Sequence, residues 1–316
     1  MGTAPVGQLV ELARLADEVG YRRCWVYDEG LATRDVYVTL AAIATATDQI
    51  LIGPGVTNPY VRHPGATATA IATLDELSGG RAFLGLGAGG GLTLTPLGID
   101  RHRPLSTVAA MIADLRRLWA GERVTSDNGA YSLDGARLGY GRDDIEIIIA
   151  GRGPKMLDLG ARAADGFYLG YIHKSLLADA VAELRAGAAA GGRPGPFTIT
   201  YSTMLARTAA DIEGARAQLT FRLVDSPPEV RDLLGMTDDQ VAAVRAGLAE
   251  GGPSAAAEHI DPAWVGDFVI DATDGDVGPR LRSLLAEGDV DEFQLPVTDI
   301  DTAAALIENV AATIRS

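Results

Sequence analysis

The chain is poor in cysteine and histidine and has no long apolar run, and each shortage excludes a class of protein. Cys24 is the only cysteine among 316 residues, which excludes an internal disulfide and a cysteine zinc cluster. The four histidines show neither HExxH nor any other ligand spacing, so we predict no metal site. No apolar run approaches the roughly 18 residues of a membrane-spanning helix, and no signal peptide is visible. We therefore expect a soluble protein of the cytoplasm with no membrane partner.

Positive charge is also scarce. Lysine and arginine together number 27 against 42 aspartates and glutamates, which gives a net charge of −15 and a pI of about 4.6. Such an acidic chain is a poor partner for nucleic acid or for an anionic membrane. Hydrophobic residues make up 47% of the chain and charged residues 22%, so the chain can bury a sizeable core.

Short apolar runs and helical periodicities alternate along the chain. The runs predict seven strands, at residues 23–27, 50–52, 82–86, 145–150, 166–171, 197–204 and 292–296. Helical spacing predicts helices at residues 8–19, 36–47, 64–77, 104–119, 154–164, 174–187, 277–287 and 303–315. Residues 121–138 contain Asp-Asn-Gly and Asp-Gly turns, which predict a hairpin.

This alternation favours an α/β fold, a TIM (β/α)8-type barrel formed as a single domain over residues 1–316. A doubly wound sheet is the alternative on pattern alone. The mostly helical stretch at about 209–264 is long for a connection, and we interpret it as a helical insertion that acts as a lid or a dimer element. A barrel needs eight strands, and the chain opens almost directly on a helix. Either the first strand is missing from the barrel, or the chain is truncated, or its start is misplaced.

Two glycine-containing loops follow predicted strands, where barrels place their ligands. Residues 151–156, Gly-Arg-Gly-Pro-Lys-Met, combine glycine amides, a helix N-terminus and two cations, which suits a phosphate. A turn that needs glycine for its geometry is the alternative. Residues 85–90 satisfy the G-x-G-x-x-G pattern of dinucleotide sites. A helix, rather than a strand with an acidic residue, is predicted about 20 residues further on, so we treat that match as incidental.

Three segments carry a resemblance to a known family. They are PGVTNP at residues 54–59, LDELSGGRAFLGLGAG at 74–89 and AGRGPKML at 150–157. With them the chain resembles the coenzyme F420-dependent methylenetetrahydromethanopterin reductases, which belong to the bacterial-luciferase-like superfamily of barrel oxidoreductases. The likeness runs from about residue 9 to residue 170 and more thinly beyond. It implies coenzyme F420 as cofactor, a small-molecule substrate and a homodimer.

The resemblance also implies a cofactor site on the loops after three strands. The peptide bond between Gly55 and Val56 is expected to be cis and to press on the back of the deazaflavin ring, and an ordinary strand end is the alternative. Two further loops are expected to hold the phosphate-bearing tail. The residues of these loops that we expect to bind the cofactor are Gly87, Ala88, Gly89, Ala150, Gly151, Gly153, Pro154, Lys155 and Met156.

Two carboxylates follow the strand predicted at residues 23–27. In the family, an acidic residue at the position of Asp28 reaches the polar edge of the ring. The next residue in the family is commonly histidine, where this chain has Glu29. A carboxylate in an apolar pocket can act as an acid, so we predict that Asp28 binds the cofactor and that Asp28 and Glu29 are catalytic. A solvated loop charge is the alternative for Glu29.

A second departure from the family lies after the glycine pair of residues 87–89. Some relatives carry a proton-donating acid there, where this chain has Gly90. The proton would then come from Glu29, His63 or water. Asn58 is a candidate hydrogen-bond partner of the ring or substrate, and Thr57 and Tyr60 are weaker ones. A turn residue that binds its own backbone is the alternative for Asn58.

Three cations, Arg34, Arg62 and Lys155, are expected on one rim that attracts the anionic cofactor.

Three functions fit these features. The first is an F420-dependent oxidoreductase that transfers a hydride between the reduced cofactor and a small organic substrate. The second is an FMN-dependent luciferase-like monooxygenase. The third is a non-catalytic homologue that binds a flavin or deazaflavin.

Overall fold

The fold is that of a computed structural model, which describes residues 4–191, 195–224, 226–275 and 277–315. The strands of these residues are β1 (Arg23–Val26), β2 (Leu51–Pro54), β3 (Phe83–Leu86), β4 (Val124–Asp127), β5 (Ser132–Ala136), β6 (Glu146–Ala150), β7 (Gly166–Gly170), β8 (Thr198–Ser202), β9 (Met204–Ala206), β10 (Val269–Asp271) and β11 (Glu292–Phe293). The α-helices are α1 (Val6–Glu18), α2 (Val36–Ala44), α3 (Pro64–Ser78), α4 (Gly91–Leu94), α5 (Pro104–Trp119), α6 (Pro154–Ala163), α7 (Leu177–Ala190), α8 (Ala209–Val224), α9 (Pro228–Leu234), α10 (Asp238–Ala256), α11 (Pro262–Val265), α12 (Val277–Glu287) and α13 (Ile300–Arg315). None of the helices in these ranges is long and apolar enough to cross a membrane.

Parallel pairing places the main strands in one continuous order. β1 pairs with β2, and a five-stranded sheet has the order β11-β8-β7-β6-β3. Isolated bridges from Ile52 to Ala82 and from Thr57 to Leu86 join β2 to β3. Each strand of the series β1, β2, β3, β6, β7, β8 and β11 therefore neighbours the next one along the chain, with helices between them. This is the α/β arrangement of the barrel that the sequence predicts, and β4 and β5 form the predicted antiparallel hairpin.

The two ends of this series, β1 and β11, do not pair with each other among the described residues. A cavity of about 460 Å³ lies between them, and α1 and α13 line its outer side. Its apolar lining includes Leu12, Cys24, Phe293 and Ile307. The described residues therefore leave a gap on this side of the barrel. The cavity follows from that gap and lies away from the glycine-rich loops.

Inside the barrel, Arg23 connects the strands on both sides of the gap. Its guanidinium forms ion pairs with Glu292 of β11 at 2.8 Å and with Glu146 of β6 at 2.6 Å. The Arg23 side chain is only 3% exposed. All three residues begin their strands, so this buried network lies at the end of the barrel opposite the predicted ligand loops.

The last third of the chain contains a strand that the sequence analysis missed. The strand predicted at residues 197–204 is divided into β8 and β9, and β9 pairs in parallel with β10. β10 has three residues, which is too short for a periodic pattern to be recognised after a long helical stretch. The strand predicted at residues 292–296 is correct in position, but β11 contains two residues.

The junction between α3 and β3 shows what the segment LDELSGGRA does in the fold. Gly79 ends α3 with a left-handed φ of 71°, which favours glycine. Arg81 follows, and its guanidinium donates five hydrogen bonds to nearby oxygens. The accepting residues are Ala44, Thr47, Ile50 and Ser78. Arg81 thereby fastens the end of α2, the start of β2 and the end of α3 to one another.

The helical stretch predicted at about 209–264 contains α8, α9, α10 and α11. These helices pack around an apolar cluster that includes Leu219, Leu223, Val244 and Trp264. The larger core lies between the strands of the five-stranded sheet and helices α3, α5, α6 and α7. The stretch therefore has a core of its own, which also receives residues of β9 and β10.

Candidate active site

Three neighbouring strands bring distant segments of the chain together at their carboxyl ends. The register pairs Leu86 of β3 with Ile149 of β6, so Gly87 and Ala150 lie side by side. A Cβ atom added at Gly87 would lie 3.0 Å from a methyl group of Val56 and 3.6 Å from the carbonyl oxygen of Ala150. Val56, Gly87 and Ala150 therefore form one surface, although they lie far apart in the sequence.

The loop after β2 presents one apolar side chain and hides two polar ones. The peptide bond between Gly55 and Val56 is cis, as the sequence analysis predicted. Val56 is half-buried, whereas the side chains that follow it, Thr57 and Asn58, are 0% and 2% exposed. Val56 is thus the side chain that this loop offers to the surface shared with Gly87.

Asp28, which follows β1, is held by the neighbouring loop. The hydroxyl of Thr57 donates a hydrogen bond of 2.6 Å to Oδ2 of Asp28. Burial raises the pKa of Asp28, the bond from Thr57 opposes that rise, and the charge of Asp35 adds to it. The net shift is upward, so Asp28 keeps a proton to a higher pH than an ordinary aspartate does. Such a carboxyl group is suited to holding a proton near a ligand.

Glu29 does not occupy the apolar enclosure that we expected for it. Its side chain is exposed, and its backbone N–H donates to the hydroxyl of Thr33 at 3.2 Å. The alternative, an exposed loop charge, therefore describes its surroundings. Of the two predicted catalytic carboxylates, Asp28 is the enclosed one and Glu29 faces water.

Two other candidates are occupied by the backbone of the chain. Oδ1 of Asn58 accepts hydrogen bonds from two N–H groups of its own loop, at 3.0 and 3.1 Å. Nδ1 of His63 accepts from the N–H of Gly65 at 3.1 Å, and Nε2 of His63 lies 3.0 Å from the carbonyl oxygen of Ser132. His63 precedes the first residue of α3 and caps that helix. Because both of its ring nitrogens have partners within the protein, His63 is not placed to deliver a proton to a ligand. Asn58 is a turn residue through its oxygen, and its amide nitrogen takes no part in these bonds.

The start of α6 has the geometry of an open anion site. Gly153 precedes Pro154 in an extended conformation, with φ −94° and ψ 152°, and no side chain caps the helix. A Cβ added at Gly153 would meet no atom within 4 Å, whereas one added at Gly151 would lie 2.4 Å from Cγ of Met156. Lys155 is exposed at this end of the helix. Packing therefore requires glycine at position 151, while position 153 leaves open space before the helix N-terminus.

The other cations near the strand ends have different neighbours. Arg152 donates from Nη1 to the carbonyl oxygen of Arg222 at 3.0 Å, and so binds the insertion. The guanidinium of Arg62 lies over the ring of Tyr37 at 4.2 Å, and Arg34 lines the cavity between β1 and β11. Lys155, the third cation of the expected rim, lies exposed at the start of α6. That Arg34, Arg62 and Lys155 share one rim stays a prediction.

Aromatic side chains fill the barrel beneath the strand ends. The ring of Trp25 lies 4.5 Å from that of Phe83 and 5.4 Å from that of Tyr168, measured between centroids. The hydroxyl of Tyr168 donates to Oε1 of Gln294 at 3.2 Å. These rings therefore lie directly beneath the loops, and we expect a ligand to lie across the strand ends.

Two residues at the strand ends were not predicted from the sequence. Arg222, on α8 of the insertion, lies over the ring of Tyr171, with its Cζ atom 3.3 Å from the centroid. Tyr171 follows β7 directly and has a left-handed φ of 55°. The periodicity of a helix does not tell which of its faces meets the barrel, so no signal in the sequence could identify Arg222. The adjacency of Tyr171 to a predicted strand end was the only available signal for it.

The fold and the loops at its strand ends define a barrel enzyme of the luciferase-like type. The chain belongs to the luciferase-like monooxygenase family, whose model matches residues 1–289. Within that family it is similar to the 5,10-methylenetetrahydromethanopterin reductase of Archaeoglobus fulgidus, with 34% identity over 289 residues that cover 89% of this chain and 87% of the relative. It is also similar to an F420-dependent hydroxymycolic acid dehydrogenase of Mycobacterium tuberculosis, with 30% identity over 262 residues that cover 77% of this chain and 72% of the relative.

A solved structure supports the same fold. The coenzyme F420 dependent tetrahydromethanopterin reductase from Methanopyrus kandleri matches with a TM-score of 0.81 and 23% identity, over 98% of this chain and 95% of the other. At this identity the likeness concerns the fold. The barrel architecture predicted from the sequence is thereby confirmed by comparison as well as by strand order.

Proposed function

We propose that the chain is a coenzyme F420-dependent oxidoreductase that transfers a hydride between the reduced cofactor and a small organic substrate. The observation that carries this proposal is that Val56, Gly87 and Ala150 lie together at the carboxyl ends of their strands. Helix α6 begins shortly after Ala150, at the same end of the sheet. The similar proteins are named a methylenetetrahydromethanopterin reductase and an F420-dependent dehydrogenase. The finer form of the proposal is an activity like that of the methylenetetrahydromethanopterin reductases.

The residues present fit a flat ring with an anionic tail. Small or absent side chains around Val56 leave a planar surface, and the open start of α6 offers a backbone N–H and a helix dipole to a phosphate. Lys155 adds a positive charge there. The residues that we propose to contact the cofactor are Asp28, Gly55, Val56, Asn58, Gly87, Ala88, Gly89, Ala150, Gly151, Gly153, Pro154, Lys155 and Met156.

Reduced F420 supplies the hydride when it is bound, so the protein has to position the reactants and manage a proton. Oδ2 of Asp28 is taken by the hydroxyl of Thr57, which leaves Oδ1 to hold a proton towards the ligand. Glu29 is exposed and close in the chain, and we propose that it exchanges that proton with water. The aromatic rings of Trp25, Phe83 and Tyr168 lie under the loops and support them from below.

The experiment that tests this function is a titration of the protein with F420 and with FMN side by side. We expect F420 to bind with an affinity at least tenfold tighter than that of FMN. Lys155→Gln is expected to weaken F420 binding and to reduce its dependence on salt, because one cationic contact to the tail is lost. Arg137→Gln, which removes an equal charge from an exposed arginine bound to the Gly121 carbonyl, serves as control. Tighter binding of FMN would instead favour the monooxygenase, and binding without turnover of any offered substrate would favour the non-catalytic homologue.

We further propose that residues 1–316 form a single domain that assembles as a homodimer. Leu31 is 81% exposed and Val38 is 65% exposed, and both lie on the segment between β1 and the middle of α2. Large exposed apolar side chains that lie near each other favour an interface. Sedimentation equilibrium should give twice the chain mass of 32.9 kDa, and Leu31→Glu should shift the mass towards that of the single chain.

A further inference from the structure

We propose that Arg222 binds the substrate and selects molecules that carry a carboxylate close to the reacting carbon. The position of the reacting carbon rests on the proposed function. The anion site itself stands on the surroundings of Arg222. The helical insertion would then determine substrate specificity, in addition to covering the strand ends.

The first observation is the location of Arg222. It lies in the last turn of α8, and its guanidinium stacks on Tyr171, 3.3 Å from the centroid of the ring. Tyr171 directly follows β7 and is 9% exposed. Stacking on a fixed aromatic ring holds the planar guanidinium in one orientation. The positive charge of the insertion is therefore placed at the carboxyl end of a central strand.

The second observation is that Arg222 forms no ion pair with the described residues. Within the described part of the chain, its only side-chain hydrogen bond runs from Nη1 to the carbonyl oxygen of Gln218, at 2.7 Å. A guanidinium has five N–H donors, so most of them remain available. Arg216, on the same helix, pairs with Glu213 at 2.8 Å. Among the described residues, Arg222 thus has no carboxylate partner, although the chain has 42 acidic and 27 basic residues, and a ligand can supply one.

The third observation concerns the groups that face Arg222. Burial raises the pKa of Tyr27, of Tyr168 and of Tyr171, and the positive charge of Arg222 opposes the rise for all three. These phenols follow or lie in β1 and β7. Glu29 acts on Tyr27 and Tyr171 in the opposite sense, so it faces the same group of phenols. Three neutral phenols and Glu29, which was proposed above to exchange the proton, therefore lie within reach of the charge of Arg222 or of one another.

This arrangement favours a small carboxylate over a neutral substrate. The guanidinium fork matches the two oxygens of a carboxylate, and phenol hydroxyls can donate to the same group. A neutral substrate would leave the guanidinium of Arg222 without a partner in a half-buried place, which costs binding energy. Arg152 donates to the carbonyl oxygen of Arg222 at 3.0 Å, so the loop before α6 is tied to the end of α8. The proposed tail site and the proposed anion site are therefore held in fixed relation.

Benzoate and benzamide provide a matched pair of probes, since they share a ring and differ in charge. The complete chain is titrated with each by calorimetry, both without cofactor and after loading with F420. We expect benzoate to bind at least tenfold more tightly than benzamide. Arg222→Gln should weaken benzoate binding at least tenfold and leave benzamide binding within twofold. Arg245→Gln, which removes an exposed arginine of the insertion that binds the Val224 carbonyl at 3.2 Å, should change neither.

Arg222→Lys keeps the charge and guards against a folding defect in the glutamine variant. It should bind benzoate at least threefold more weakly than the unaltered chain, because an ammonium group lacks the fork. The proposal is overturned if the unaltered chain binds both probes equally, or if either Arg222 variant binds benzoate normally. It is also overturned if Arg222→Gln loses affinity for F420 alone, which would assign Arg222 to the cofactor tail. A failure of F420 to bind the unaltered chain would refute the proposed function, while the titration without cofactor would still decide the role of Arg222.

Discussion

The hydroxyl of Thr57 donates a hydrogen bond of 2.6 Å to the carboxylate of Asp28, and this bond joins the loop after β2 to the loop after β1. Burial outweighs the bond, so the pKa of Asp28 is raised in the folded protein. The folded state therefore binds this proton more tightly than the unfolded state does. Asp28 contributes stability that is fully present below its unfolded pKa and is lost as the pH rises through its folded pKa.

We predict that Asp28→Asn raises the melting temperature at pH 7.5, because asparagine removes a charge that is costly to bury. The difference from the unaltered chain should shrink as the pH falls below the folded pKa of Asp28, where its carboxyl group is protonated. Thermal unfolding at a series of pH values measures this. Asp144 is the control of opposite sign, because its hydrogen bond with Arg142 lowers its pKa. Asp144→Asn should lower the melting temperature at pH 7.5 or leave it unchanged, and a lower melting temperature for Asp28→Asn would contradict the argument.

The strand ends of this site could be predicted because buried parallel strands have nearly continuous apolar sequences. Each predicted strand of the sheet was followed by its loop, and parallel strands place such loops at one end of a barrel. The meeting of Val56, Gly87 and Ala150 follows from this rule and from the register of β3 and β6. The short strand β10 did not follow, since three residues carry no period.

The direction of individual side chains could not be predicted. Asn58 and Arg152 lie in the loops that the sequence identified. The side-chain oxygen of Asn58, however, accepts hydrogen bonds from the backbone of its own loop. Arg152 donates a hydrogen bond to the insertion. Glu29 follows the enclosed Asp28 and yet faces water. Arg222 comes from a helix whose position depends on packing between distant segments. A local pattern fixes where a loop begins, whereas these contacts depend on which remote element packs against it.

We predict that Gly153→Ala weakens F420 binding at least tenfold. The backbone at this position is extended and the added Cβ meets no atom of the protein, so the fold accepts it. That Cβ would project into the open space before the N-terminus of α6, where an anion has to approach the backbone. Gly139→Ala is the matched control, because a Cβ there also meets nothing within 4 Å and lies in an exposed turn. Titration followed by F420 fluorescence measures the affinity of both variants. Equal affinities for F420 would show that the cofactor tail does not bind at the N-terminus of α6.

Arg81 should be among the residues on which stability depends most. Its guanidinium donates five hydrogen bonds, four of them to backbone carbonyl oxygens. A buried carbonyl left without a partner costs about 1–3 kcal/mol, so Arg81→Met should lower the free energy of unfolding by at least about 3 kcal/mol. Arg137→Met removes one bond from an exposed arginine and should cost less than about 0.5 kcal/mol. Urea unfolding followed by circular dichroism compares the two, and similar midpoints would show that the five bonds are dispensable.

The ion pairs of Arg23 provide a test of how the open side of the barrel is held. Arg23→Met would leave Glu146 without its cation and Glu292 with only an exposed one, and removing one partner of a buried network costs about 3–5 kcal/mol. The neighbouring Arg22 also pairs with Glu292, at 3.0 Å, but its side chain is 64% exposed, so Arg22→Met should cost less than about 1 kcal/mol. Urea unfolding measures both changes. If both variants unfolded at the same urea concentration, the buried network would contribute no more than an exposed pair, and the packing of α1 and α13 would have to hold this side of the barrel.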